Sequence, residues 1–230
     1  MFNSKTFIIG TAATAAIASA ASADFLGFDG NVETIGDYTV IQMHAVFSND
    51  TDVALNLFEA VITTGDNGGF NHSDVQSGAG GTWAPTASLD IPGFADSSID
   101  SYANMGYGVA NDAATNGTAL DPTWLDATNG LGASVPVGAG WYNGNPGNDV
   151  NGTVYGGGVD GISGYGVMVG QFVFETARMT TEDFFVFDSQ IGFANPEVAF
   201  GADLFTYGIP APGALALLGL GAVASRRRRS

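Results

Sequence analysis

The sequence predicts an all-β protein, an antiparallel β-sandwich of jelly-roll type with long Gly/Asn/Asp loops, followed by a short C-terminal transmembrane helix. Three observations carry this expectation. Stretches with the two-residue alternation of strands, Tyr38–Phe47 and Gly166–Thr176, stand towards both ends of the body. No stretch between residues 24 and 208 sustains a helical apolar stripe. The chain holds 34 glycines, and clusters of Gly, Asn and Asp separate its apolar runs, which is turn chemistry.

Taken in order, Met1–Ala23 reads as a secretory signal peptide. Lys5 is its positive end, Phe7–Ala20 is small and apolar, and Ala21 and Ala23 frame a small-residue cleavage pattern before Asp24. Residues 24–208 form one acidic β-sandwich ectodomain, and residues 209–230 a separate terminal segment. Within the body, Asp24–Asp37 reads as an edge strand and turn. In Tyr38–Phe47 one face carries Thr39, Ile41, Met43, Ala45 and Phe47, the other Val40, Gln42, His44 and Val46. A polar turn, Ser48–Asp52, leads to a second strand, Val53–Thr63, and the pair predicts an antiparallel hairpin. There Leu55, Leu57, Glu59 and Val61 are expected on one face, and Phe58, Ala60 and Ile62 on the other. Residues 64–98 read as loops, Ile99–Val109 as a glycine-weakened strand, and Asp121-Pro122-Thr123-Trp124 as a one-turn helix start. Gly138–Gly161 reads as a further loop. Gly166–Thr176 reads as a strand with Met168, Phe172 and Phe174 on one face and Val167, Val169 and Val173 on the other. Phe184–Phe187, Ile191–Phe193 and Val198–Tyr207 close the list of strands.

Charge narrows the function. Of six basic residues only Arg178 lies between 24 and 208, whereas all 23 acids do, so the body carries a formal −22. Such a surface repels nucleic acid and suits cations, salt or basic partners. Cysteine is absent, so an exported body must be held by packing rather than disulfides.

Catalytic patterns are missing. There are two histidines, His44 in a strand and His72 in a loop near Asp66 and Asp74, and no zinc spacing. No G-x-S-x-G is present, and Gly156-Gly157-Gly158 precedes no predicted helix, so it is not read as a phosphate loop. The reading is of a protein that is not an enzyme and has no cofactor, with calcium as the one ion its loops suit. The calcium candidates are Asp50 with Asp52, Asp66 with Asp74, and Asn148 with Asp149 and Asp160, none at EF-hand spacing. Trp83, Trp124, Trp141 and Tyr142 fall in predicted loops, where they either plug the ends of the core or stack on sugars. A carbohydrate- or calcium-binding module is therefore the alternative function, and a secreted glycoside hydrolase using two carboxylates a third.

The terminal segment is the most specific stretch. Pro210-Ala211-Pro212 precedes an uncharged run, Gly213–Ala224, and then Arg226, Arg227, Arg228 and Arg229. As a helix the run is ~18 Å long, short against a hydrocarbon core of ~30 Å. Pro212 suits a first helical turn. The arginines suit a helix C-terminus and the cytoplasmic side, which leaves the body outside.

Pro-x-Pro, a short apolar helix and an arginine cluster together resemble the PEP-CTERM sorting signal of Gram-negative bacteria. This chain has Ala211 where glutamate is usual. The resemblance covers residues 209–230 and implies a substrate of an exosortase-like membrane enzyme, held at the inner membrane transiently or permanently. It implies a destination at the cell surface or in an extracellular polysaccharide matrix.

Overall fold

The computed structural model describes residues 24–72, 83, 96–105, 117–127, 134–144, 150–195 and 197–209. The signal-peptide stretch, including Ala21 and Ala23, and the terminal segment from Pro210 onward lie outside the described residues. Among the described residues ten strands form two antiparallel sheets. They are β1 (Phe25–Ile35), β2 (Tyr38–Phe47), β3 (Val53–Thr64), β4 (Tyr102–Ala103), β5 (Thr118–Leu120), β6 (Ala139–Asn143), β7 (Thr153–Tyr155), β8 (Gly164–Glu175), β9 (Phe185–Ala194) and β10 (Val198–Tyr207). One sheet runs β1-β2-β8-β4, with β7 also on β8, and the other runs β10-β9-β3-β6-β5. A short helix, α1 (Pro122–Ala127), and two 3₁₀ turns, Ser97–Ile99 and Thr176–Arg178, complete the described elements. No helix among the described residues is long and apolar enough to cross a membrane.

The all-β, antiparallel expectation holds, and α1 starts at the predicted Pro122. β1 and β2 make the hairpin, with Ile35 opposite Tyr38. Gly36, at φ 58, makes the left-handed turn that a side chain would disfavour. The predicted β2–β3 hairpin is corrected: the two strands lie in different sheets, and Ser48–Asp52 arches between them. Asp52 closes that arch, fully buried, accepting the Asn49 N–H at 3.2 Å and the Asn195 side-chain amide at 2.7 Å. The predicted loop 138–161 contains β6 and β7, and the two short strands predicted over 184–193 are one, β9. Its middle, Ser189, is polar yet buried, and its hydroxyl donates to the Phe58 carbonyl. Of the strand predicted over Ile99–Val109, residues 99–105 are described, and only Tyr102–Ala103 is strand, Ile99 belonging to a 3₁₀ turn.

The face assignments change wherever a bulge inserts a residue. In β8, Met43 pairs Gly170 and His44 pairs Met168, which leaves Val169 extra. Parity flips there, so Val167, Val169, Phe172 and Phe174 all enter one core while Met168 does not. β3 is interrupted between Ala54 and Asn56 and again between Phe58 and Val61. Its core residues are accordingly Ala54, Leu57, Ala60 and Ile62, and the predicted Leu55/Leu57/Val61 face does not exist. Glu59, at the second bulge, takes the left-handed conformation, φ 53.

The core between the sheets is aromatic. Phe28 meets Phe187 edge-on at 5.0 Å, Phe47 meets Phe193 at 5.2 Å, and Phe172 meets Phe187 at 5.6 Å. These pairs join the two sheets and add specific geometry to burial. Trp83, Trp124 and Trp141 extend the same cluster at centroid spacings of 5.5 and 6.3 Å.

Candidate functional site

The polar residues that sequence reasoning singled out fall into three places. The first lies on the outer face of β1 and β2, beneath the loop 156–163. Asp29 alternates with core-facing Phe28, so its side chain points away from the core, yet it is fully buried. Its carboxylate accepts backbone N–H bonds from Gly30 at 2.8 Å, Gly158 at 2.6 Å, Asp160 at 3.0 Å and Ile162 at 3.0 Å. An anion held by four N–H groups is compensated without a counter-cation. Gly158 has to be glycine, because a Cβ there would collide with the Gly30 carbonyl. Gly158, the last of the Gly156-Gly157-Gly158 triplet, thus supplies one of the four donors of an anion nest whose anion is the chain's own Asp29.

Around this nest, the His44 ring packs 4.7 Å from that of Tyr155, and the Tyr155 hydroxyl bonds to Asn31. Burial lowers the His44 pKa, against opposing pulls from the Gln42 carbonyl and Asp29. Burial, and then Asp29, raises that of Tyr155. Asp160 is pushed up by desolvation and by the charges of Asp29 and Asp203. Asp203 accepts the Phe28 N–H at 2.8 Å. Asp29 spends its carboxylate on the backbone and ties the loop 156–163 to β1.

The second place is His72. Its side chain and that of Asp100 are each 3% exposed, with Nδ1 3.5 Å from the carboxylate and 2.8 Å from the Ser101 carbonyl. The ring stacks on Trp83 at 4.9 Å. His72 is therefore packed against the core instead of standing in an open loop beside Asp66.

Arg178 forms the third. It grips Asp66 through Nε at 2.8 Å and Nη2 at 2.7 Å, and donates also to the Gly69 carbonyl. This holds the loop after β3 to the turn after β8. The guanidinium also keeps the Asp66 carboxyl well below the usual range.

Among the described residues the calcium candidates serve separate places. Asp52 closes the arch, Asp66 serves Arg178, and Asp160 lends its N–H to Asp29. Asp74, Asn148 and Asp149 lie outside the described residues. Among the described residues no group of three His, Asp or Glu side chains is placed to hold a metal ion. The tryptophans are core plugs: Trp83 and Trp124 are completely buried and Trp141 nearly so. Trp124 donates to the Gly140 carbonyl, and Trp141 to those of Asn104 and Val169, at 2.9 Å each. Tyr142 alone of the four predicted loop aromatics is exposed. Sequence reasoning missed the Asp29 nest, although a lone acid in an apolar strand and a distant glycine triplet were its available signals. The sorting residues Pro210, Ala211, Pro212 and Arg226 to Arg229 lie outside the described residues.

No family model, curated protein or solved structure matches this chain.

Proposed function

We propose that this chain is an exported, non-enzymatic protein of the cell surface or extracellular matrix, sorted through its C-terminal segment. One observation carries the reading: a signal-peptide pattern at one end and Pro210-Ala211-Pro212, Gly213–Ala224 and Arg226–Arg229 at the other. The partners are an exosortase-like membrane enzyme and matrix polysaccharide, and the terminal run is a short membrane helix held at the inner membrane during transit. A body of formal charge −22 supports a partner other than nucleic acid. What the ectodomain shares with jelly rolls is two antiparallel sheets around one core. Two of its crossovers lie at opposite ends, β2 to β3 at the end of Phe47 and β8 to β9 at the end of Glu175.

Fractionation of the native cell with intact-mass measurement tests the proposal. The expected species begins at Asp24, resides in the envelope or matrix, and ends either near Pro210 or at Ser230. A cytoplasmic chain that retains Met1–Ala23 overturns it.

A further inference from the structure

The edges of the two sheets are finished differently. β4 and β5, each the last strand of its sheet, are only two and three residues long. The edge of β1 is covered by the loop 156–163: the Val159 N–H bonds to the Gly30 carbonyl at 3.0 Å, beside the bonds to Asp29. β10 is ten residues long, and among the described residues no strand pairs with its second edge. Its ladder with β9 runs from Val198 to Tyr207 without a register shift, so no bulge turns it away. It contains neither Lys nor Pro. A long, regular edge of this kind is a template for another strand, and Lys, Pro, bulges and charges are the usual means of blunting one. The single charge in β10, Asp203, has the inward parity of buried Phe205 and is occupied by the Phe28 N–H at 2.8 Å. On the outward side Val198, Phe200 and Leu204 are 60%, 67% and 55% exposed.

This edge matches itself in reverse. Two copies of β10 laid antiparallel about a two-fold axis at Ala202 bring Ala202 against Ala202. Phe200 of each copy then lies opposite Leu204 of the other on the outward side, and Val198 lies opposite Thr206. Residues opposite one another in an antiparallel pair share a face and touch. Asp203 falls opposite Gly201, and exposed Glu197, just before the strand, opposite Tyr207, so no acid of this edge directly faces another. A two-fold axis at Asp203 would set that carboxylate against its own copy, and like charges opposite each other are destabilising. An axis at Gly201 would set Phe200 against Ala202 and lose the large apolar pair. A patch that meets itself in this way closes as a two-fold dimer.

We propose that β10 pairs with β10 of a second copy, antiparallel and centred on Ala202, joining two five-stranded sheets into one continuous sheet. Backbone bonds along the strand and the two Phe200–Leu204 contacts hold the pair. The formal −22 of the body opposes the approach of two copies, so the pairing strengthens as salt screens that charge. It uses residues 197–207 alone and does not rest on the sorting assignment.

The chain has no cysteine, so engineered thiols report without background. Full-length A202C and V198C are oxidised mildly in micelles of a non-ionic detergent, which cover the apolar run Gly213–Ala224. Two Ala202 positions adjoin across the axis, whereas two Val198 positions stand roughly 27 Å of strand apart. The expected result is a disulfide-linked dimer of A202C at several times the yield of V198C, and a higher yield at ~0.5 M than at ~0.05 M NaCl. Adding L204K, at an exposed position whose replacement leaves the core intact, should bring the A202C yield down to that of V198C. Equal yields from the two single variants, as association through another surface would give, would overturn the proposal. So would the absence of a dimer, a yield that falls with salt, or one that L204K leaves unchanged.

Discussion

The Gly158 N–H donates to the Asp29 carboxylate at 2.6 Å, across 129 residues of chain. With the bonds from Asp160 and Ile162, it fastens the loop 156–163 over the outer face of β1 and β2. The partners of this buried carboxylate are backbone N–H groups. Asp29→Asn turns an amide N–H₂ towards donors that need an acceptor. Each lost bond to a charged group is worth about 1.5–3 kcal/mol, so the variant should be destabilised by roughly 3 kcal/mol in urea unfolding. Amide exchange at Gly158, Asp160 and Ile162 should speed up before that in β2 and β8. Unchanged exchange at these three amides would show that Asp29 does not hold the loop.

Arg178 is the only cation between residues 24 and 208, and it is committed to Asp66. Because the folded carboxyl is held below its ordinary range, the pair contributes fully above about pH 4. The contribution fades as pH falls through the lowered value. The pair is partly solvent-exposed, so its effect is below about 1 kcal/mol and shrinks with salt. Arg178→Gln should flatten the acid limb of a stability–pH curve below pH ~4 and leave the curve near neutrality almost parallel. Identical acid limbs for the two proteins would remove this role.

How much of this was legible in the sequence depends on what broke the alternation. β2 has a two-residue period throughout, and its two faces were read correctly from Tyr38 to Phe47. β8 and β3 carry single-residue bulges at Val169 and Glu59, and one inserted residue exchanges the faces beyond it. Nothing in a one-dimensional pattern marks an insertion whose only signature is a pairing partner more than a hundred residues away. The Asp29 nest was hidden for the same reason, since its two halves meet only through the fold. Trp141 was misplaced into a loop because glycines flank it, although it lies in β6 and is buried in the core. The segment beyond Ile209 was legible as chemistry alone, through its prolines, apolar run and arginines.

Glu59 gives the bulge a direct test. A non-glycine residue at φ 53 costs of order 1 kcal/mol, more when β-branched. Glu59→Val should lower stability by about 1–2 kcal/mol. Glu59→Gly should change it by less than about 1 kcal/mol, because relief of strain offsets the greater freedom of the unfolded chain. Equal losses in the two variants would show that the Gln190–Glu59 side-chain bond, and not the backbone, sets the cost.

Trp141 tests whether the tryptophans serve the core or a ligand. Its ring is buried and its N–H is shared between the carbonyls of Asn104 and Val169. Trp141→Ala should cost about 3–5 kcal/mol. The native fluorescence should be blue-shifted, resistant to iodide, and unmoved by matrix polysaccharide. Quenching or a spectral shift on adding the polysaccharide would return a tryptophan to the binding surface.

His44 sets the behaviour nearer neutrality. Its ring is largely buried against Tyr155 and pairs across the strands with Asp29. Proximity to Asp29 favours the imidazolium, but desolvation outweighs it, and the folded pKa falls below 6.5. The native state therefore prefers the neutral ring. The sign follows: the unfolded chain takes up the proton first as pH falls, so His44 contributes fully above about pH 6.5 and loses that contribution as pH drops through the lowered folded value. Replacing it with phenylalanine keeps a ring against Tyr155 and removes the titration. His44→Phe should therefore hold its urea midpoint between pH 7 and 5 where the parent protein declines, a window separate from that of Asp66. Proton titration of the His44 Cε1 resonance, assigned through the same variant, gives the second reading. A native value at or above that of a free histidine would mean that Asp29, rather than burial, governs the ring, and the parent protein would then gain stability on acidification instead of losing it.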